Sequence, residues 1–189
     1  MSKVAIKGAD TGTGVFTLES PATNTNRTLV LPDEAGTVLT TAGVPASAMP
    51  AGSVIQVVQG TYSTAIYTAS SSFINTGLEA TITPTATSSK ILIISREQLN
   101  GDVDNDGVGD ATGQYRLYRN GSAIIESISS VWARGGLQRI NDGGFKYLDS
   151  PNSTSALTYA TYVRMAAGSR GIGVNGDGLS TMILLEIAG

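Results

Sequence analysis

A chain of 189 residues with only 12 basic against 15 acidic side chains offers no electrostatic handle on nucleic acid, whose phosphates are met by clustered Lys and Arg. It holds neither His nor Cys, which removes disulfides, thiolate metal sites and every mechanism built on a Ser-His or Cys-His pair. No apolar run approaches the roughly 20 residues of a membrane-spanning helix, and Met1–Gly8 lacks the apolar core of a secretory signal. The expectation is a non-membrane protein made in the cytoplasm of its producer.

Charged residues make up only 14% of the chain, so its polar surface must come from Ser, Thr, Asn and 23 Gly. Helical periodicity is hard to find anywhere. Residues 1–45 carry three short strand candidates, Val15–Glu19, Thr28–Leu31 and Thr37–Thr40, with too few large apolar groups for a core of their own. Such an arm either stays disordered or needs copies of itself to bury Val15, Phe16, Leu18, Leu29 and Leu31. Pro45 and Pro50, among Ala, Gly and Ser, mark an extended stretch, with residues 46–52 as the linker.

From residue 53 to 189 the pattern thickens into short β-branched runs punctuated by Gly, Pro, Asn and Ser. The predicted strands are Val54–Gln59, Phe73–Asn75, Leu78–Thr83, Ile91–Ser95, Tyr115–Arg119, Ala123–Ser127, Gly144–Leu148, Leu157–Arg164, Gly171–Val174 and Thr181–Ile187. Many short strands with no helices between them predict an all-β, jelly-roll-like sandwich. Asn120-Gly121 predicts a two-residue type I′ hairpin, because both residues accept positive φ. That turn would pair Arg119 with Ser122, Tyr118 with Ala123 and Leu117 with Ile124. Met182–Ile187 is almost continuously apolar, which reads as a central strand covered on both faces or packed into a subunit interface.

Two clusters could carry chemistry. Asp102, Asp104, Asp106 and Asp110, with Gly107 between them, match the first positions of a calcium loop, where alternate side chains converge on one cation. The match ends where a bidentate Glu should stand and Gly113 stands instead; a solvated acidic tip explains the same residues. Trp132 and Arg134, framed by Gly135 and Gly136, could stack on and clamp a sugar ring; a partly buried aromatic is the plainer reading. Paired carboxylates can hydrolyse glycans, but Asp33 with Glu34, Glu97 with the 102–110 loop, and Asp142 with Asp149 read as surface acids. The Gly-rich stretch 171–178 precedes no helix and is not a phosphate cradle. Catalysis is not expected.

The stretch Gly14–Leu18 and Asn26–Thr41, with its "RTLVLPD" followed by "AGTVLTT", resembles a unit repeated in tail-fibre and head-fibre proteins of tailed bacteriophages, particularly marine ones. Residues Thr76–Ile93, Tyr115–Ile125, Leu148–Tyr159 and the closing "STMILLEIAG" resemble the knobs of the same proteins. The resemblance implies a homotrimer with an intertwined N-terminal β arm, a trimeric jelly-roll knob and no catalytic residues. It implies a virion component, a short fibre joined through residues 1–45 to another virion protein and facing a host surface glycan or protein with its knob. A capsid decoration or head fibre is the other location. A glycan depolymerase or a calcium-dependent lectin-like adhesin are the readings from other classes. The expected distal loops are Asn100–Gly113, Ser130–Gly144 and Gly173–Leu179.

Overall fold

The computed structural model describes residues 11–15, 17, 22–26, 28, 44–45, 48–100, 111–133, 140–168, 171–175 and 178–189. The chain forms two compact units, Met1–Val38 and Leu39–Gly189. In the first, the described residues are irregular and exposed, with the Thr25 amide donating to Thr23 Oγ1 at 3.2 Å. The arm strands expected there fall largely outside the described residues.

The second unit is all-β among the described residues, in eleven strands: β1 Val54–Tyr62, β2 Ile66–Thr68, β3 Ile74–Ile82, β4 Lys90–Asn100, β5 Ala111–Arg119, β6 Ser122–Ala133, β7 Ile140–Gly143, β8 Lys146–Asp149, β9 Leu157–Gly168, β10 Ile172–Val174 and β11 Ser180–Ile187. Every strand expected after residue 53 is present. Two were not foreseen: three-residue β2, and β7, which occupies part of the supposed loop 130–144.

One sheet runs β1-β11-β4, with β8 and β7 along the free edge of β4 and β10 then β2 beside its far end; the other runs β3-β9-β5-β6. β7 and β8 lie in one unbroken register on β4, from Asn100↔Ile140 to Ile91↔Asp149. Counted as a single strand they complete a four-stranded layer, β1-β11-β4-β8, facing β3-β9-β5-β6. Between the eight strands of these two layers the chain crosses at every connection but β5–β6, and its first and last strands pair side by side, with β1 at the edge of its layer and β11 inside it. That is the jelly-roll path through a two-layer sandwich.

Period-2 alternation decides which side chains meet inside. β4 turns Ile91, Ile93 and Leu99 inward, β11 Met182 and Leu184, β3 Leu78 and Ile82, β9 Leu157, Tyr159 and Val163, and β5 Tyr115 and Leu117; all are buried. Tyr115 stacks on Phe145 with ring centroids 4.9 Å apart, linking the two layers.

Asn120 and Gly121 have φ of 48° and 78°, as the predicted I′ turn requires. Arg119↔Ser122 and Tyr118↔Ala123 pair as expected, but Leu117 pairs with Ile125, not Ile124. A bulge absorbs one residue there, which pure counting from the turn cannot anticipate. A second irregularity joins the two runs Phe73–Asn75 and Leu78–Thr83 into the single strand β3. Four steps along β3, Asn75 to Glu79, oppose two along β9, and Gly77 takes φ of 85° against the Tyr62 ring.

β11 is central, as its composition implied, but the chain covers only one of its faces. Met182, Leu184 and Glu186 are buried, whereas Ile183, Leu185 and Ile187 on the other side are only half-buried. Leu184→Ala is therefore expected to destabilise the sandwich by about 3 kcal/mol in denaturant titration, and Leu185→Ala by about 1 kcal/mol or less.

Candidate functional site

Asp102, Asp104, Asp106 and Asp110 lie outside the described residues, as does Arg134. Trp132 lies not on a loop but in β6, its backbone opposite Thr112 of β5. β6 runs on through Ala133, so the expected distal loop begins later than composition suggested.

The chemistry visible in the described residues lies between the sheets, in three acids, two of which, Glu97 and Asp149, sequence reading took for surface groups. Glu97, Asp149 and Glu186 are all buried, Glu97 and Glu186 completely. Their strand phase explains it. Glu97 stands in register with Ile91, Ile93 and Ser95 on the inner face of β4, and Glu186 with Met182 and Leu184 on β11. That in-phase spacing was the signal that could have found them. Asp142 and Asp149 do not form a pair: they stand opposite Gln98 and Ile91, seven residues apart on β4 and therefore about 23 Å apart.

Each buried acid has its own set of donors. Asp149 Oδ2 accepts from Arg119 Nη1 at 2.6 Å and from the Tyr159 hydroxyl at 2.7 Å. This ties β8 in one layer to β5 and β9 in the other. Burial, then the bond to Asp149, pushes the Tyr159 hydroxyl far above the usual phenol range. Beside it the hairpin closes on β9, with the Asn120 amide donating to Thr158 O and the Thr158 amide to Asn120 Oδ1.

Glu186 lies near the end of β11, opposite Ile91 as Asp149 is on the other side of β4, and beside a cavity of about 260 Å³ lined partly by Met49, Ile55, Thr85 and Ser89. Its Oε1 accepts from the Thr85 amide, Thr85 Oγ1 and Ser89 Oγ, each at 2.7 Å, and its Oε2 from Gln56 Nε2 at 2.6 Å. Three donors crowd Oε1 and one engages Oε2. Burial pushes this carboxyl up, but the hydrogen bonds outweigh it and hold it below the usual carboxylate range.

Glu97 has fewer partners. Its Oε1 accepts from Thr76 Oγ1 at 2.7 Å and Thr161 Oγ1 at 2.5 Å, and Oε2 has no partner among the described residues. Burial dominates, and the carboxyl is pushed up to about 7 against the pull of both hydroxyls. No group of three or more acidic, His or Cys side chains able to hold a metal occurs among the described residues.

The two outward sheet faces differ. On β3-β9-β5, the guanidinium groups of Arg116 and Arg164 lie over the Phe73 ring, at 4.2 and 4.8 Å from its centroid, and Tyr118 stacks on Tyr162 at 4.0 Å. Arg164 spends its donors on Gln114 Oε1 and Ser71 O. On β1-β11-β4-β8, register aligns Val57, Leu185, Leu92 and Leu148 in one row across four strands, with Ile183 and Ile94 adjacent in the next. Val57 is 59% exposed and Leu148 47%. Lys90, Arg96 and Lys146 stand at the margin of this apolar face.

The fold and these faces define a jelly-roll β-sandwich protein with polar tethers between its layers. No family model matches the sequence, and no curated protein matches it. Among solved structures the chain is similar to the infectious bursal disease virus VP2 subviral particle, at TM-score 0.35 and 12% identity over 72% of this chain and 38% of that one. It is similar to the infectious bursal disease virus Gt strain structure at TM-score 0.35 and 13% identity, over 70% and 36%. The chain thus spans little more than a third of the length of either.

The depressed Glu186 carboxyl has a definite pH sign. Its contribution is present above the unfolded value of 4.5 and lost as pH falls through the lower folded value. Glu186→Gln is expected to lower stability at neutral pH by about 2 kcal/mol and to flatten the acid limb of a melting-temperature profile. An acid limb identical to wild type would remove Glu186 from that role.

Proposed function

We propose that the chain is a virion structural protein, a homotrimeric short fibre of a tailed bacteriophage that displays its jelly-roll knob outward and joins another virion protein through residues 1–45. The observation that carries this reading is the outward face of β1-β11-β4-β8. Rows of exposed aliphatic side chains on a sheet face are unfavourable in water and typical of surfaces where chains meet. Here the row passes through Leu185, on the strand whose composition already suggested a subunit interface. The N-terminal resemblance to phage fibres and the jelly-roll path support the same reading. On it, the knob's loops meet a host surface glycan or protein, and the chain works by binding and not by catalysis.

Light scattering on the purified protein is expected to give the mass of three chains. Leu185→Asp places a charge in the apolar row without touching the core, so it should give single chains that still unfold cooperatively. A monomeric wild type, or a trimer that survives Leu185→Asp, overturns this interface. Removing residues 1–45 is expected to leave a folded knob that no longer joins particles. Incorporation of the truncated knob would move the attachment surface into the sandwich.

A further inference from the structure

The polar cluster around Glu97 is unlike the other two. Glu97 Oε1, Thr76 Oγ1 and Thr161 Oγ1 form a closed triangle with sides of 2.5, 2.6 and 2.7 Å, all buried. Three mutual oxygen contacts at hydrogen-bond distance need three hydrogens, and two hydroxyls supply only two. A proton on Oε1, donated to one hydroxyl, frees that hydroxyl's own hydrogen for the other and so supplies the third. With the carboxyl ionised, one contact loses its hydrogen, and the unpartnered Oε2 becomes half of a bare charge in an apolar interior.

The triangle also spans the sandwich. Glu97 belongs to β4 in one layer, and Thr76 and Thr161 belong to β3 and β9 in the other. Thr76 Oγ1 additionally accepts from the Leu78 amide at 3.3 Å, next to the Gly77 irregularity where β3 departs from regular pairing with β9. The cluster therefore clamps a segment of β3 that has fewer ladder bonds than the rest.

We propose that Glu97, Thr76 and Thr161 form a proton-operated clasp between the two sheets, closed while the carboxyl is protonated and loosened at β3 and β9 when it ionises.

Among the described residues no neighbouring charge offers another route to the same switch: the other inward-facing ionisable groups on the packed strands are Tyr62, Tyr115, Tyr147, Tyr159, the Arg119–Asp149 pair and Glu186. Asp149 and Glu186 both stand opposite Ile91, six residues from Glu97 along β4 and hence about 20 Å away. Gly143 faces Glu97 from β7, and Arg96 beside it in sequence points outward. The carboxyl's rise to about 7 puts the transition near neutrality. The sign follows: the clasp is strongest below the open-state value of 4.5 and weakens as pH climbs to about 7.

Hydrogen exchange on the full-length protein between pH 5 and 8, corrected for the intrinsic pH dependence of amide exchange, tests this at peptides covering residues 74–78 and 160–163. Wild-type protection there is expected to fall about tenfold per pH unit up to about 7 and then level off. Glu97→Gln, which cannot ionise, should show no such slope. Thr161→Val breaks the triangle that the carboxyl proton completes and should therefore cost more protection at pH 5 than at pH 8. A flat wild-type profile, an unchanged slope in Glu97→Gln, or an equal loss at both pH values in Thr161→Val overturns the proposal. If Glu97→Gln does not fold, Thr161→Val decides alone.

Discussion

β11 enters its sheet between β1 and β4, so these two strands are joined only when the end of the chain arrives. Val57 meets Leu185 across nearly the whole length of the sandwich sequence. Bringing such distant segments together costs loop-closure entropy before any core is gained, and all-β sandwiches fold slowly for that reason. Once in place, β11 completes both sides of its sheet. Its inward residues fill the centre of the sandwich, and its outward residues complete the apolar row. The Gly52 amide donates to Ala188 O and the Ala188 amide to Ser53 O, which closes the sandwich where the chain enters it.

The three buried acids show how differently one side-chain type behaves inside the same sandwich. Glu186 has four donors and is held in its charged form. Asp149 has a guanidinium and a phenol, so its charge is matched across the layers. Glu97 has two hydroxyls and no cation, and desolvation prevails. At Glu186 and Glu97 the number of donors decides the outcome, because burial opposes the charged form at both. Two of the three also connect opposite sheets, so the layers are held in register by directional bonds as well as by the non-directional packing of Ile, Leu and Tyr side chains.

The outward faces divide the work of the surface. On β3-β9-β5, aromatic rings and guanidinium groups are stacked on one another, and Arg164 is satisfied within the chain. Cross-strand pairs of this kind stabilise a face that can remain in water. On β1-β11-β4-β8 the outward row is aliphatic and has no polar atoms to satisfy. The same strands whose inner residues build the core therefore present a second apolar surface, and this asymmetry is what the proposed assembly uses.

Strand identity from Val54 onward was legible in the sequence because period-2 alternation and β-branched residues are local signals. The Asn120-Gly121 turn was legible because only a few residues accept its positive φ. The continuous apolar character of Met182–Ile187 correctly marked a central strand. Local signals did not reveal that Leu117 pairs with Ile125, since a bulge depends on how the two strands meet. Nor did they reveal that β7 continues the edge of β8, because Ile140–Gly143 is too short and polar to read as a strand alone. The acids are the plainest case. Glu97, Asp149 and Glu186 look like any surface carboxylates until β3, β5, β9 and the Thr85–Ser89 turn bring their donors across tens of residues of sequence. Sequence by itself determined the elements and the alternation of their faces. Tertiary structure alone decided which carboxyl keeps its charge, because that depends on partners that meet only when the two sheets close.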